Sequence, residues 1–166
     1  MKKIARGGLL VAVALVLSLI EKLFPLQAVV PIPGIKLGLA NVVTLFALTA
    51  LGVREALVIV LCRVTLASIF MGSITGFLFS LFGGVLALIV MQILLLREGS
   101  WFSLAGISIG GAAAHNIGQI FAAILTLGTV DVIGYLPLLL LSAIPLGLVT
   151  GTTASAVLGH LKKLGF

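Results

Sequence analysis

The sequence predicts an all-α integral membrane protein of six transmembrane helices with both termini on the cytoplasmic side, and three observations predict it. Of its 166 residues 61% are apolar and only 8% charged, with a mean hydropathy of +1.40, whereas a soluble domain averages about 25% charged residues. Apolar runs of roughly 17 to 25 residues, long enough to cross a bilayer as helices, follow one another along the chain. The basic residues sit at the ends of those runs, so the net charge of +6 reads as a topology signal and not as a nucleic-acid surface.

The runs place spans at about 5–23, 35–51, 53–70, 73–96, 102–127 and 134–160, which form a single transmembrane domain over 1–166. The first begins behind Lys2, Lys3 and Arg6 like a signal peptide. It has no small-x-small cleavage site before Glu21, so it reads as a retained helix. The second follows Pro31 to Gly34, two prolines and a glycine that end one run and turn the chain, with Lys36 and Asn41 in its first turns. Only Gly52 and Val53 separate it from Arg54 and Glu55 of the third, which requires a tight hairpin. Small residues recur every four positions as Gly72, Gly76, Ser80, Gly84 in the fourth, Gly106, Gly110, Ala114, Gly118, Ala122 in the fifth and Gly147, Gly151, Ser155, Gly159 in the sixth. Those ladders should let the three helices pack closely. Pro137 and Pro145 should bend or interrupt the last. The inner ends carry Lys2, Lys3, Arg6, Arg54, Arg97, Lys162 and Lys163, the outer ends only Lys22 and Lys36, which puts both termini inside. Glu21, Lys22, Trp101 and Tyr135 read as interface anchors, and Cys62 as a small buried apolar residue.

Polar groups inside the membrane are the functional signal, because each costs free energy unless it is paired or faces a cavity. The candidates are Asn41, Arg63, Gln92, His115, Asn116 and Gln119. At about 1.5 Å per residue, Asn41 lies about 12 Å below the outer face, Arg63 about 14 Å above Arg54, and His115 and Gln119 about 20 and 26 Å above the start of their span. These counts converge on the outer half of the membrane, with Gln92 near the inner end. His115 and Gln119, four apart beside the small-residue ladder, point into the bundle, and Asn116 lies nearby. Arg63 bears the largest cost, about 2.5 to 3.5 kcal/mol on the lenient insertion scale. Glu21 and Glu55 are the carboxylates within range and neither is well placed, so an anionic ligand or a water-filled cavity suits Arg63 better. Lys36 stands at the outer mouth as a snorkelling flank or an anion attractor.

Other chemistries lack their residues. There is no GxxxxGK[ST] loop for ATP, one aspartate (Asp131) where a prenyl-transferring catalyst needs aspartate clusters for magnesium, and no acid to complete a Ser-His triad. The two histidines, His115 and His160, lie far apart with few carboxylates between them, which argues against a metal site. The expectation is a chain that is not itself an enzyme and carries no cofactor.

The segments PGIKLGLANVVTLFAL at 33–48 and GAAAHNIGQI at 111–120, with six spans and this length, resemble the bacterial membrane family named heptaprenyl diphosphate synthase component I, also called the Gx transporter family. That family is related to the substrate-binding S components of energy-coupling factor transporters. The resemblance implies an S-component-like bundle in the bacterial cytoplasmic membrane, with an outward-opening pocket for a small molecule. A scaffold subunit and two cytoplasmic ATPases would be its partners, and the two segments would contribute Lys36 and Asn41, and His115, Asn116 and Gln119, to its substrate-binding set, to which the intramembrane position of Arg63 adds that residue. S components dock their scaffold through an Ala-xxx-Ala pair on the first helix; here Gly8 with Ala12 is the nearest match, and Ala14 with Ser18 the next. The family name implies as an alternative a non-catalytic accessory subunit beside a prenyl transferase or a flavin-based redox partner.

Overall fold

The computed structural model describes residues 2–24, 36–99 and 101–163, and over these the protein is all-helical. Six α-helices run in chain order: α1 Lys2–Ile20, α2 Asn41–Ala50, α3 Val53–Met71, α4 Ile74–Leu95, α5 Leu104–Leu127 and α6 Leu136–Lys163. Short 3-10 turns, Glu21–Leu23 and Asp131–Tyr135, extend α1 and precede α6. The turn at Pro31 to Gly34 lies outside the described residues, as do the side chains of Lys2, Lys3, Lys22 and Lys162.

Local chemistry sets most boundaries. The Ser73 and Ser103 hydroxyls accept from the N–H groups of Gly76 at 2.9 Å and Gly106 at 3.2 Å, which caps α4 and α5. Gly72 and Gly128 end α3 and α5 in the left-handed conformation, with φ of 60° and 70°. Gly52, at φ 100°, makes the sharp link between α2 and α3 that the sequence demands. The last helix, in contrast, runs on through Pro145 without interruption.

The second helix departs from expectation: residues 36–40 are irregular or turned, and helix begins only at Asn41, where Asn41 N–H bonds the Gly38 carbonyl at 2.9 Å. At ten residues it spans about 15 Å, too little for a hydrocarbon core. Three helical segments are long and apolar enough to cross a membrane, within 74–95, 104–127 and 131–160. The third helix holds three charged residues, Arg54, Glu55 and Arg63, which takes it out of that group.

The bundle is organised around α5, of whose membrane-length window 67% is buried, against 22% for the window containing α6. It lies against α4 and α6, and glycines set those approaches: a Cβ on Gly118 would stand 2.5 Å from the Phe82 carbonyl oxygen, and one on Gly151 2.7 Å from the Ala105 Cα. The ladders thus pack as expected at their centres, whereas Gly72 and Gly159 at the ends face open space. The short α2 touches each of the other five helices, and its Val43, Leu45, Ala47 and Leu48 lie in the main core. Its first residue, Asn41, therefore opens into the middle of the molecule.

Candidate functional site

Asn41 starts α2 and is buried, and around it the fold gathers polar side chains from every helix except α6. Gly38, at φ +83°, makes the approach possible, since a Cβ there would lie 2.9 Å from Asn41 Nδ2 and 3.2 Å from the His115 ring. Only glycine adopts that backbone without strain. His115 comes from α5, and its ring lies against Gly83 of α4, where a Cβ would stand 2.8 Å from Nδ1. The next residue, Gly84, gives the same room to Arg63 of α3, with a virtual Cβ 3.0 Å from Nη2. Two adjacent glycines of α4 thus seat an imidazole and a guanidinium side by side.

Lys36 and Gln119 close one side. The Gln119 side-chain amide accepts from the Lys36 N–H and donates to the Lys36 carbonyl, both at 2.8 Å, so it holds that backbone as a neighbouring strand would. The Lys36 ammonium reaches the Ser80 hydroxyl at 2.6 Å and the Gly76 carbonyl at 3.5 Å. Arg63 Nη1 donates to Ser18 Oγ of α1 at 3.3 Å.

What distinguishes the cluster is its unmet hydrogen-bonding capacity. Asn41, Arg63 and His115 are only 2%, 4% and 2% exposed. Yet among the described residues Asn41 Oδ1 and Nδ2, Arg63 Nε and Nη2, and both ring nitrogens of His115 meet no hydrogen-bond partner of good geometry, the His115 ring having only the Gly83 backbone beside it. A buried polar atom left unpaired costs about 1 to 3 kcal/mol, and most native domains hold few. Here six such atoms on three helices converge on one place.

Glu21 is the residue that sequence reasoning placed wrongly. Expected as an interface anchor, it is instead 6% exposed. Its carboxylate accepts from the Leu39 N–H with the Gly38 N–H alongside, and it interacts electrostatically with Arg63 and Lys36. Of the two carboxylates available to Arg63, Glu21 is therefore the one that faces it, while Glu55 is exposed near the Arg6 and Arg54 end. A signal was present: Ala14, Ser18 and Glu21 stand at i, i+4 and i+7 on one face, and all three are buried.

The other candidates divide. Asn116 is buried but turns toward α6, donating to the Leu139 carbonyl at 2.6 Å, so it braces two helices and does not join the cluster. Gln92 is half-buried on α4. Cys62 is exposed and not buried as expected. It lines a groove of about 820 Å³ between α1 and α3, together with Gly8, Arg6, Arg54 and Leu51. Gly8 and Ala12 are exposed on α1, whereas Ala14 and Ser18 pack inward. Trp101 is exposed, as an anchor would be, but Tyr135 packs beside Val132 and Phe79.

Among the described residues no group of three or more His, Cys, Asp or Glu could hold a metal ion. Comparison with curated proteins and with solved structures returns no match. Comparison with protein families does: residues 10–157 match the model of heptaprenyl diphosphate synthase component I, nearly the whole length, and the chain belongs to that family.

Proposed function

We propose that the chain is a non-catalytic, six-span, single-domain subunit of the bacterial cytoplasmic membrane, with both termini inside, that captures a small anionic or amphipathic substrate from the outer side. The observation that carries this reading is the convergence of unpaired polar atoms from Asn41, Arg63 and His115 inside apolar walls. Such an array recognises a ligand by satisfying its own buried groups, with Arg63 and Lys36 for an anionic group and Asn41, His115 and Gln119 for orienting hydrogen bonds. A vitamin or flavin, a quinone precursor or an isoprenoid diphosphate has that combination. Because the chain has no ATP-binding loop, uptake takes its energy from a scaffold subunit with two cytoplasmic ATPases. The groove beside the exposed Gly8 and Ala12 is the surface for docking it.

Mass spectrometry of what co-purifies with the protein in mild detergent identifies the substrate. Arg63→Ala and Asn41→Ala should each then weaken its binding at least about tenfold. Unchanged affinity in both variants would refute the site.

A second reading is favoured by the family description, which names a synthase component. In it the apolar walls around the same cluster hold a prenyl tail, and the chain is an accessory subunit of prenyl or quinone synthesis or of a flavin-based electron-transfer system. Co-purification separates the two, since the first brings down ATPases and the second a prenyl transferase or redox partner.

A further inference from the structure

We propose that the Glu21 carboxylate is a built-in stopper in the anion position of the site, and that the substrate's charged group, a carboxylate or phosphate on an apolar body, binds by displacing it. The inference rests on the reading of the site given above and names the chemistry that reading leaves open. Three observations carry it.

First, Glu21 occupies a position suited to an anion. It lies where the Gly38 and Leu39 N–H groups point, just ahead of the first turn of α2, and Gly38's φ of +83° aims that backbone. Arg63 and Lys36 supply positive charge around it.

Second, the match between Glu21 and Arg63 is one of charge only. A guanidinium and a carboxylate that exist to hold two helices together pair through parallel N–H···O bonds. Here Arg63 gives Nη1 to Ser18, while Nε and Nη2 have no hydrogen-bond partner among the described residues. With the side-chain polar atoms of Asn41 and His115 also lacking partners of good geometry among the described residues, the site presents more donors and acceptors than Glu21 uses. An incoming anion has partners waiting that the resident carboxylate leaves idle.

Third, Glu21 is hung where it can leave. It is the first residue of the three-residue 3-10 turn that follows α1, and Ile20 before it and Leu23 two residues after it are exposed. Rotation of that turn would carry the carboxylate away from the Gly38 and Leu39 N–H groups.

The test uses the purified full-length chain in detergent with two probes, inorganic pyrophosphate and hexanoate, and titration calorimetry as the readout. Glu21→Gln removes the competing charge and should bind the preferred probe about tenfold more tightly than the wild type, since a resident competitor lowers apparent affinity by the fraction of open sites. Glu21→Asp keeps the charge but shortens its reach, and should fall between the two; it also serves if the glutamine variant folds poorly. Arg63→Gln should lose binding. The probe that gains from Glu21→Gln tells phosphate from carboxylate. If both Glu21 variants bind no more tightly than wild type while Arg63→Gln still loses binding, the stopper is refuted and the site stands. If Arg63→Gln binds as wild type does, the site itself falls, and if neither probe binds any of the proteins, the anionic class falls.

Discussion

Gly83→Ala is the sharpest test of how the cluster is built, because the new methyl group has nowhere to go. Its Cβ would stand 2.8 Å from both Cε1 and Nδ1 of His115 and 3.0 Å from the His115 backbone oxygen. The ring can rotate away, but the backbone oxygen belongs to a helix packed on both sides. Overpacking of this kind costs about 1 to 3 kcal/mol. With about 2 to 4 °C of melting temperature per kcal/mol at this chain length, the expected fall is roughly 2 to 12 °C. In a His115→Ala background the ring contacts are gone and only the backbone contact remains, so the same glycine substitution should cost less by about 1 kcal/mol, a coupling typical of residues in contact. Gly159→Ala is the control: nothing lies within 4 Å of its Cβ, and alanine's helix propensity should make it neutral or stabilising by up to about 1 kcal/mol. Thermal unfolding of all variants, followed through Trp101 fluorescence, decides. A melting temperature for Gly83→Ala within a degree of wild type, or the same cost with and without His115, would refute the packing of α4 on the His115 ring.

Three further outcomes are expected. Gln119→Ala loses both 2.8 Å bonds to Lys36, each worth about 1 kcal/mol, so hydrogen exchange at the Lys36 amide should rise about tenfold or more; wild-type protection would show that the clamp is not formed. Asn116→Ala removes the bond to the Leu139 carbonyl, but that oxygen still accepts from Ser142 at 2.7 Å. The cost should therefore be only about 1 kcal/mol, with affinity for the co-purifying ligand unchanged, and a loss of affinity would put Asn116 back in the site. Cys62 should react readily with a membrane-permeant maleimide, being exposed in the α1–α3 groove. Co-expression with a docked scaffold should protect it, and full labelling in the assembled complex would place docking elsewhere.

The large features were legible because they depend on period and length. Helix boundaries at 53–71, 74–95 and 104–127 follow from glycines and serines that cap and from apolar runs that fill a bilayer. The inward orientation of His115 and Gln119 followed from four-residue spacing beside a ladder of small residues, and both are buried. The site was less legible, for physical reasons. Whether α2 starts at 35 or at 41 depends on Gln119 taking up the Lys36 N–H and carbonyl from 83 residues away, which local propensity does not register. Glu21 has the sequence environment of a helix-end anchor, and only the long-range placement of Arg63 and the Leu39 N–H draws it inward. The same holds for Asn116, whose direction is set by a carbonyl on α6. Cys62 faces out because α3 packs with its Arg63 and Ala67 side inward, and a helix with apolar residues on every face gives little moment from which to read that.

The shortness of α2 has a mechanical meaning. Its first residue, Asn41, abuts the polar cluster, and at its other end Ala50 and Leu51 form part of the wall of the α1–α3 groove. Those two places are joined by a single stiff rod of about 15 Å, with a glycine joint at each end, Gly38 and Gly52, both at positive φ. A rod between two joints moves as one piece. In the proposed reading, a ligand that pushes on Asn41 would pass that displacement along this rod toward the groove, so occupancy on one side would be sensed by a partner docked on the other without the long helices having to bend.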